Sequence, residues 1–158
     1  MKTLGIFILF ISVLSYGLSI SYKTKTEIAQ LKEFLSLMKY IKNQIKYFNK
    51  PLCEIYCEYA LKSSYLSDFL NNLNNFDWKN AFDNTDGIFI SKNAKEILVE
   101  FGNKLGKSDC DGQIEICDYY ITIFEKEVQN ASDNYPKKSK LCISLSIYAG
   151  LLLIIILM

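Results

Sequence analysis

The chain contains no histidine and no arginine, and these two absences exclude many functions. Histidine is the commonest general base and metal ligand in proteins, so its absence disfavours acid–base catalysis and zinc binding. Arginine is the usual residue for bidentate binding of phosphate and carboxylate groups. All 18 basic residues are lysine, against 17 acidic ones, and a net charge of +1 argues against nucleic acid as a partner. We expect no catalytic residue, no cofactor and no small-molecule substrate.

Five cysteines are present, but their spacing does not match a metal site. Cys53 and Cys57 lie one helical turn apart, Cys110 and Cys117 lie two turns apart, and the CxxC pair of structural zinc sites is absent. An odd number of cysteines in a reducing cytoplasm also disfavours a disulfide framework. A cysteine-rich metal site is the alternative. We interpret the cysteines as small apolar side chains buried by packing, and we expect no bound metal.

An uncharged stretch lies at each end of the sequence. Residues 4–20 and 141–158 carry no charged side chain, whereas the region between them is rich in Lys, Asn, Asp and Glu. An apolar helix crosses the ~30 Å bilayer core with about 17–25 residues, so each stretch is long enough. The alternatives are a secretory signal peptide for the first stretch and a buried helix of a soluble protein for the second. We expect transmembrane helices at residues 1–21 and 141–158, with a domain of residues 22–140 between them and the chain ending in the bilayer.

Lysines flank both stretches on the side of the middle domain. Positive residues near the ends of a span favour the cytoplasmic side, so the middle domain is expected in the cytoplasm. The alternative is an extracellular domain that follows a cleaved signal peptide. The flanking lysines are predicted to contact lipid headgroups, with about 1 kcal/mol from each on an anionic leaflet. They are Lys23, Lys25, Lys137, Lys138 and Lys140.

Apolar residues recur every three or four positions through the middle domain, which predicts helices and no strand. The first helix should continue from the first uncharged stretch to near Asn49, because Pro51 disfavours helical geometry in the residue before it. The expected fold is all-α, an antiparallel bundle of about six helices flanked by the two transmembrane helices. The predicted core positions of the first helix are Ile28, Leu31, Leu35, Met38, Ile41, Ile45 and Phe48.

Residues typical of helix ends divide the middle domain into its helices. A proline predicts the start of the second helix, and an acidic or hydroxyl side chain predicts the cap of each of three later helices. A glycine predicts the end of the fifth helix, and a second proline is expected to interrupt or kink the last helix. In chain order these residues are Pro51, Asp77, Ser91, Gly106, Ser108 or Asp109, and Pro136.

Two of the turns are predicted to meet. A helix rises 1.5 Å per residue, so the first helix reaches about 40 Å from the bilayer, and the last helix covers a similar distance on its return. The turns at residues 50–52 and 105–109 should therefore lie together at the membrane-distal end. One interpretation is a surface that binds a partner protein, and the other is ordinary helix capping and turn chemistry. The candidate residues are Pro51, Leu52, Leu105, Gly106, Lys107, Ser108, Asp109 and Gln113.

The same two turns carry a resemblance to a known family. The stretch IKNQIKYFNKPLCEI resembles the early EI-x-Y…PL-x-E segment of stage III sporulation protein AB, and FGNKLGKSDCDGQ resembles its LG-x-SD-x-x-x-Q segment. The tail GLLLIIILM resembles the apolar ending of that family, so the resemblance covers essentially the whole chain. Pro136 in the last helix and the short tail depart from the family pattern.

The resemblance implies a non-enzymatic membrane component of a secretion-like channel complex between mother cell and forespore. It implies a location in the mother-cell membrane around the forespore and a helical domain similar to the platform proteins of type II secretion and type IV pilus systems. The implied partners are a secretion-type ATPase, other stage III sporulation channel proteins and the lipid bilayer. The residues themselves leave two alternatives open, a small membrane-active protein such as a holin and an anchored structural protein unrelated to secretion. A membrane-anchored enzyme is disfavoured by the missing histidine.

Overall fold

The computed structural model describes the backbone of residues 2–157 and the side chains of residues 15, 19, 22–137, 140, 141, 144–148 and 152. Over these residues the chain is helical without any strand, which confirms the predicted all-α class. In chain order the helices are α1 Lys2–Phe48, α2 Leu52–Ala60, α3 Ser67–Asn72, α4 Trp78–Asp83, α5 Lys92–Lys104 and α6 Cys110–Leu157.

The chain divides into two compact units. The first unit is Met1–Thr26 with Ala131–Met158, and the second is Glu27–Asn130. Most side chains of the two uncharged stretches lie outside the described residues. Among the residues that are described, no helix has the length and hydropathy that crossing a bilayer requires. The two transmembrane helices, and the domain boundaries after residues 21 and 140, therefore stay predictions.

Helix α6 continues without a break through Pro136. A proline lacks the backbone N–H and its ring crowds the preceding turn, which is why an interruption is expected at this position. Of the two outcomes predicted for Pro136, interruption is wrong, because α6 is 48 residues long and is helical on both sides of the proline, whereas a kink stays a prediction.

Within the second unit, α1 and α6 run antiparallel, as predicted. Lys39 pairs with Glu125 at 2.6 Å, and Lys42 pairs with Asp118 at 2.5 Å, so the residue number on α6 falls as that on α1 rises. The acidic partners are about half exposed, and surface pairs of this kind contribute about 0–1 kcal/mol each. The packing of apolar side chains therefore holds these helices together.

A row of aromatic rings forms the core of the second unit and joins five helices. Phe34 of α1 lies 5.4 Å from Phe69 of α3, measured between ring centroids. The Phe69 ring lies 5.4 Å from Trp78 of α4. Trp78 lies 5.7 Å from Phe101 of α5, which lies 5.8 Å from Tyr120 of α6. Such aromatic pairs contribute about 0.5–1.5 kcal/mol each beyond the burial of their area, so this row links the bundle from one side to the other.

Gly102 lets the indole of Trp78 pack directly against the backbone of α5. A Cβ atom at residue 102 would lie 2.1 Å from the Trp78 ring. Trp78 is only 4% exposed, which confirms its predicted place in the core. The close approach of α4 to α5 therefore depends on a residue without a side chain.

The buried face of α1 is wider than the predicted stripe. Phe34 and Leu37 are fully buried outside that stripe, whereas Leu35 is half-buried and Phe48 is 65% exposed. The reason is that α1 packs against α2 and α3 as well as α6, through Tyr40 on Tyr59 and Phe34 on Phe69. The correctly predicted buried residues of α1 are Leu31, Met38, Ile41 and Ile45.

The predicted N-caps of α4 and α5 are confirmed. The Asp77 carboxylate accepts a hydrogen bond from the N–H of Asn80 at 3.2 Å, and the Ser91 hydroxyl accepts one from the N–H of Ala94 at 3.1 Å. Each bond satisfies one of the N–H groups that the first turn of a helix leaves without an intrahelical partner.

Candidate partner-docking site

The turn between α1 and α2 lies against the turn between α5 and α6, as the helix lengths predict. A Cβ atom at Gly106 would lie 3.5 Å from Cδ1 of Leu52, and the Cys110 thiol donates to the carbonyl of Ile45 at 3.8 Å. An open groove of about 370 Å³ lies between the turns, here called the turn groove. Its lining residues are Ile45, Asn49, Lys50, Pro51, Leu52, Gly106, Ser108, Cys110 and Gln113.

The first turn reverses the chain within three residues. Asn49 has φ = 53°, a left-handed conformation that asparagine tolerates better than most residues. Pro51 stands at the N-cap of α2, one position before the helical turn predicted for it. Its carbonyl accepts hydrogen bonds from the N–H groups of Glu54 and Ile55 at 3.1 and 3.3 Å. Pro51 itself is exposed, and Leu52 is half-buried against the second turn.

The second turn is closed by a glycine and an aspartate, as predicted. Gly106 has φ = 76°, directly after the C-cap residue Leu105 of α5. Leu105 is 6% exposed, so its side chain anchors the turn to the core. The Asp109 carboxylate accepts from the N–H of Gly112 at 3.2 Å and thereby caps α6.

Gln113 fixes the shape of this second turn from inside. Its side chain is buried, with 6% of the residue exposed. The side-chain carbonyl accepts from the N–H of Gly106 at 2.9 Å. The side-chain amide donates to the carbonyl of Ser108 at 3.2 Å and to its hydroxyl at 3.1 Å. Gln113 therefore positions Gly106 and Ser108, and the exposed Lys107 is held between them.

The charge of Lys50 in the turn groove is neutralised from within the unit. Its ammonium forms an ion pair with Glu58, whose carboxylate also accepts from the Tyr40 hydroxyl at 2.8 Å. The hydrogen bond to Lys50 lowers the pKa of Glu58, and the same bond raises the pKa of Lys50. Burial raises the pKa of Tyr40, and its bond to Glu58 adds to the effect. The pair is thus ionised at neutral pH, and Lys107 supplies exposed positive charge beside the groove.

Two exposed aromatic side chains lie in the last turn of α1. Tyr47 is 67% exposed and Phe48 is 65% exposed, immediately before the groove residue Asn49. Aromatic residues are enriched at protein–protein interfaces and among the residues that dominate binding energy. The helical period predicted Phe48 in the core. Phe48 instead lies in the last turn of α1, just before Pro51, and beyond the packed region.

The cysteines only partly match their predicted role. Cys117 is buried, as expected, and burial raises the pKa of its thiol to about 11. Cys53, Cys57 and Cys110 are exposed, so the interpretation as buried packing residues is wrong for these three. Cys53 and Cys57 lie on α2, and Cys110 lies in the first turn of α6, where it lines the turn groove. Within the part of the chain that the structure describes, no group of Cys, Asp and Glu is arranged to hold a metal ion.

The lysines predicted at the lipid headgroups belong to the first unit. Lys23, Lys25, Lys137 and Lys140 are exposed to solvent. The side chain of Lys138 lies outside the described residues. Contact of these lysines with lipid stays a prediction.

A family model for stage III sporulation protein AB (spore_III_AB) matches residues 2–158 of this chain, and the match includes both turns of the groove. No curated protein matches the chain, and no solved structure matches it.

Proposed function

The chain belongs to the stage III sporulation protein AB family, and we propose that it acts in sporulation as a non-enzymatic membrane component of the channel complex between mother cell and forespore. In this role it is the assembly platform for a cytoplasmic secretion-type ATPase and contacts other channel proteins of the same stage. The proposed location is the mother-cell membrane around the forespore, with two spans and the second unit in the cytoplasm.

The turn groove is the observation that carries the proposal. Its lining includes the apolar side chains of Ile45, Pro51 and Leu52, and the exposed Phe48 directly precedes the groove residue Asn49 in the chain. Lys107 adds a positive charge in a turn that Gln113 holds fixed. A pre-formed groove avoids part of the cost of ordering a loop on binding, and a charge at its rim sets orientation and association rate. These properties suit a protein partner with an acidic, partly apolar surface.

The proposed membrane attachment is supported by the sequence. Residues 4–20 and 141–158 are uncharged, and each is long enough to cross a bilayer as a helix. The lysines that follow the first stretch and precede the second favour a cytoplasmic middle domain.

Charge reversal at Lys107 tests ATPase docking. Full-length chain in lipid nanodiscs is titrated with the purified secretion-type ATPase of the same cell, and Kd is measured by biolayer interferometry. We expect Lys107→Glu to weaken binding about fivefold to tenfold, because a favourable charge at the rim becomes repulsive.

Lys126→Glu is the matched control. Lys126 is also an exposed lysine, but it lies about 24 Å along α6 from Cys110, at 1.5 Å per residue. Its reversal should leave Kd within about twofold, since screening weakens charge interactions over such distances. Equal effects of the two substitutions, with unchanged helical circular dichroism, would contradict docking at the turn groove.

A further inference from the structure

The opposite end of the second unit is built from two loops that side chains of α1 hold in place. Gln30 is 2% exposed and lies just inside the start of the unit at Glu27. Its amide donates to the carbonyl of Gly87 at 2.6 Å, and its carbonyl accepts from the N–H of Phe89 at 2.7 Å. The loop between α4 and α5 is therefore fixed to the beginning of α1 within this unit.

Glu33, one helical turn further along α1, holds the loop between α2 and α3. One carboxylate oxygen accepts from the Ser63 hydroxyl at 2.5 Å and from the N–H groups of Ser64 and Tyr65 at 2.8 and 3.3 Å. Because Gln30 and Glu33 are three residues apart on one helix, both loops lie at the same level of the bundle.

Helix α6 also holds this end of the unit, close to the point where the chain leaves the unit. The Glu127 carboxylate accepts from the Ser91 hydroxyl at 3.0 Å and from the Asn93 amide at 2.9 Å. Glu127 lies close to Asn130, the last residue of the unit. The two loops thus lie at the end where the chain both enters and leaves the unit.

These fixed loops expose three large apolar side chains. Leu61 is 90% exposed, Tyr65 is 47% exposed and Phe89 is 53% exposed. We call Leu61, Tyr65 and Phe89 the loop patch. The hydrogen bonds of Glu33 and Gln30 hold the backbone of Tyr65 and Phe89 in place, and both rings are exposed.

We propose that the loop patch rests on the lipid surface, at the boundary between headgroups and acyl chains. The inference rests on the membrane attachment in the proposed function. Gln30 follows the uncharged stretch of residues 4–20 in sequence, and Glu127 precedes that of residues 141–158, so both predicted spans connect to the unit through the segments that hold these loops.

The chemistry of the patch fits this lipid boundary. Aromatic rings are enriched at the membrane interface, and apolar side chains bind there in proportion to the area that they bury. Anchoring at both ends would keep the patch at a high effective concentration beside the bilayer, so a weak contact suffices. Because the patch is apolar, the contact should form on zwitterionic lipid as well as on anionic lipid.

A tryptophan placed in the patch reports this contact. Full-length Phe89→Trp is reconstituted in vesicles of phosphatidylcholine or of brominated phosphatidylcholine, whose acyl chains quench nearby indoles. The native Trp78 is 4% exposed, and its fluorescence in the wild-type chain is the background to be subtracted. We expect bromine to reduce the fluorescence of the added indole at least about twofold.

Phe48→Trp is the matched control, because Phe48 is also an exposed phenylalanine but lies about 27 Å along α1 from Gln30. Its added fluorescence should be unchanged by bromine. Equal fluorescence of Phe89→Trp in both lipids overturns the inference. A fluorescence that changes with protein density and not with bromine also overturns it, because a second copy of the chain would then cover the patch.

Flotation with the vesicles tests the anchor separately from the patch. If the Phe89→Trp chain floats but its added indole is not quenched, only the inference is overturned. If the chain does not float, the membrane attachment is overturned with it.

Discussion

The two ends of the second unit are each held by a buried glutamine, but the two side chains connect very different lengths of chain. Gln113 bonds to Gly106 and Ser108, which lie seven and five residues before it. Gln30 bonds to Gly87 and Phe89, which lie 57 and 59 residues after it. At the end that carries the turn groove, called the turn end, local sequence therefore determines the shape of the second turn. The end that carries the loop patch, called the loop end, takes its shape only when the bundle has formed.

The largest expected difference between the two ends comes from removing Gln30. Gln30→Ala should lower the free energy of unfolding by about 2–3 kcal/mol, because the Gly87 carbonyl and the Phe89 N–H both lose a part-buried partner. Urea unfolding of the full chain in detergent, followed by the fluorescence of buried Trp78, measures this. A loss below about 1 kcal/mol would mean that other contacts hold the loop.

Removing Glu33 should have the next largest effect. Glu33→Ala takes an acceptor from Ser63, Ser64 and Tyr65, and we expect a loss of about 1.5–2 kcal/mol in the same unfolding experiment. Glu33→Gln keeps an oxygen in place and should cost less than half as much. Hydrogen exchange at the Tyr65 amide should accelerate in the alanine variant, and equal exchange in the two variants would contradict the assignment.

At the turn end, Gln113→Ala should cost only about 1 kcal/mol, because the left-handed Gly106 and the Asp109 cap still define the turn without Gln113. The same substitution should weaken ATPase binding several-fold, since Lys107 is no longer held in one position. A loss of stability as large as that of Gln30→Ala would remove the contrast between the two ends. Unchanged binding would show that the shape of the turn does not matter for docking.

The smallest expected effect is the dependence of the turn end on pH. The pKa of Glu58 is lower in the folded chain than its ordinary value of 4.5, through its bond to Lys50. Its ionised form therefore stabilises the fold above that value, and the contribution disappears as pH falls through the lowered pKa. Glu58→Gln lacks this contribution. The urea midpoints of wild type and variant should differ more at about pH 6 than at about pH 3, and a difference independent of pH would contradict the role of the ion pair.

Sequence reasoning succeeded where capping geometry or helix length decides the structure. The caps Asp77 and Ser91, the stop at Gly106 and the meeting of the two turns follow from capping geometry and helix length. Gln30 has no such signature, because its partners become neighbours only in the folded bundle.

The same limit explains the errors on α1. Periodicity identifies one stripe of a helix, but α1 is packed from several sides, so Phe34 and Leu37 are buried outside the predicted stripe. Phe48 continues the periodic pattern beyond the end of the core and is exposed. Both outcomes depend on which neighbours surround each turn of the helix, and a single sequence does not contain that information.

In the proposed arrangement the two ends of the unit bind different partners, a protein at the turn groove and the lipid surface at the loop patch. A photocrosslinking phenylalanine analogue placed at Phe48 or at Phe89 of the full chain, in sporulating cells, identifies the partner of each end. Both positions are natively phenylalanine and more than half exposed. We expect a crosslink to the secretion-type ATPase from position 48 and none from position 89, where the crosslinks are to lipid. An ATPase crosslink from position 89 as strong as that from position 48 would contradict this arrangement.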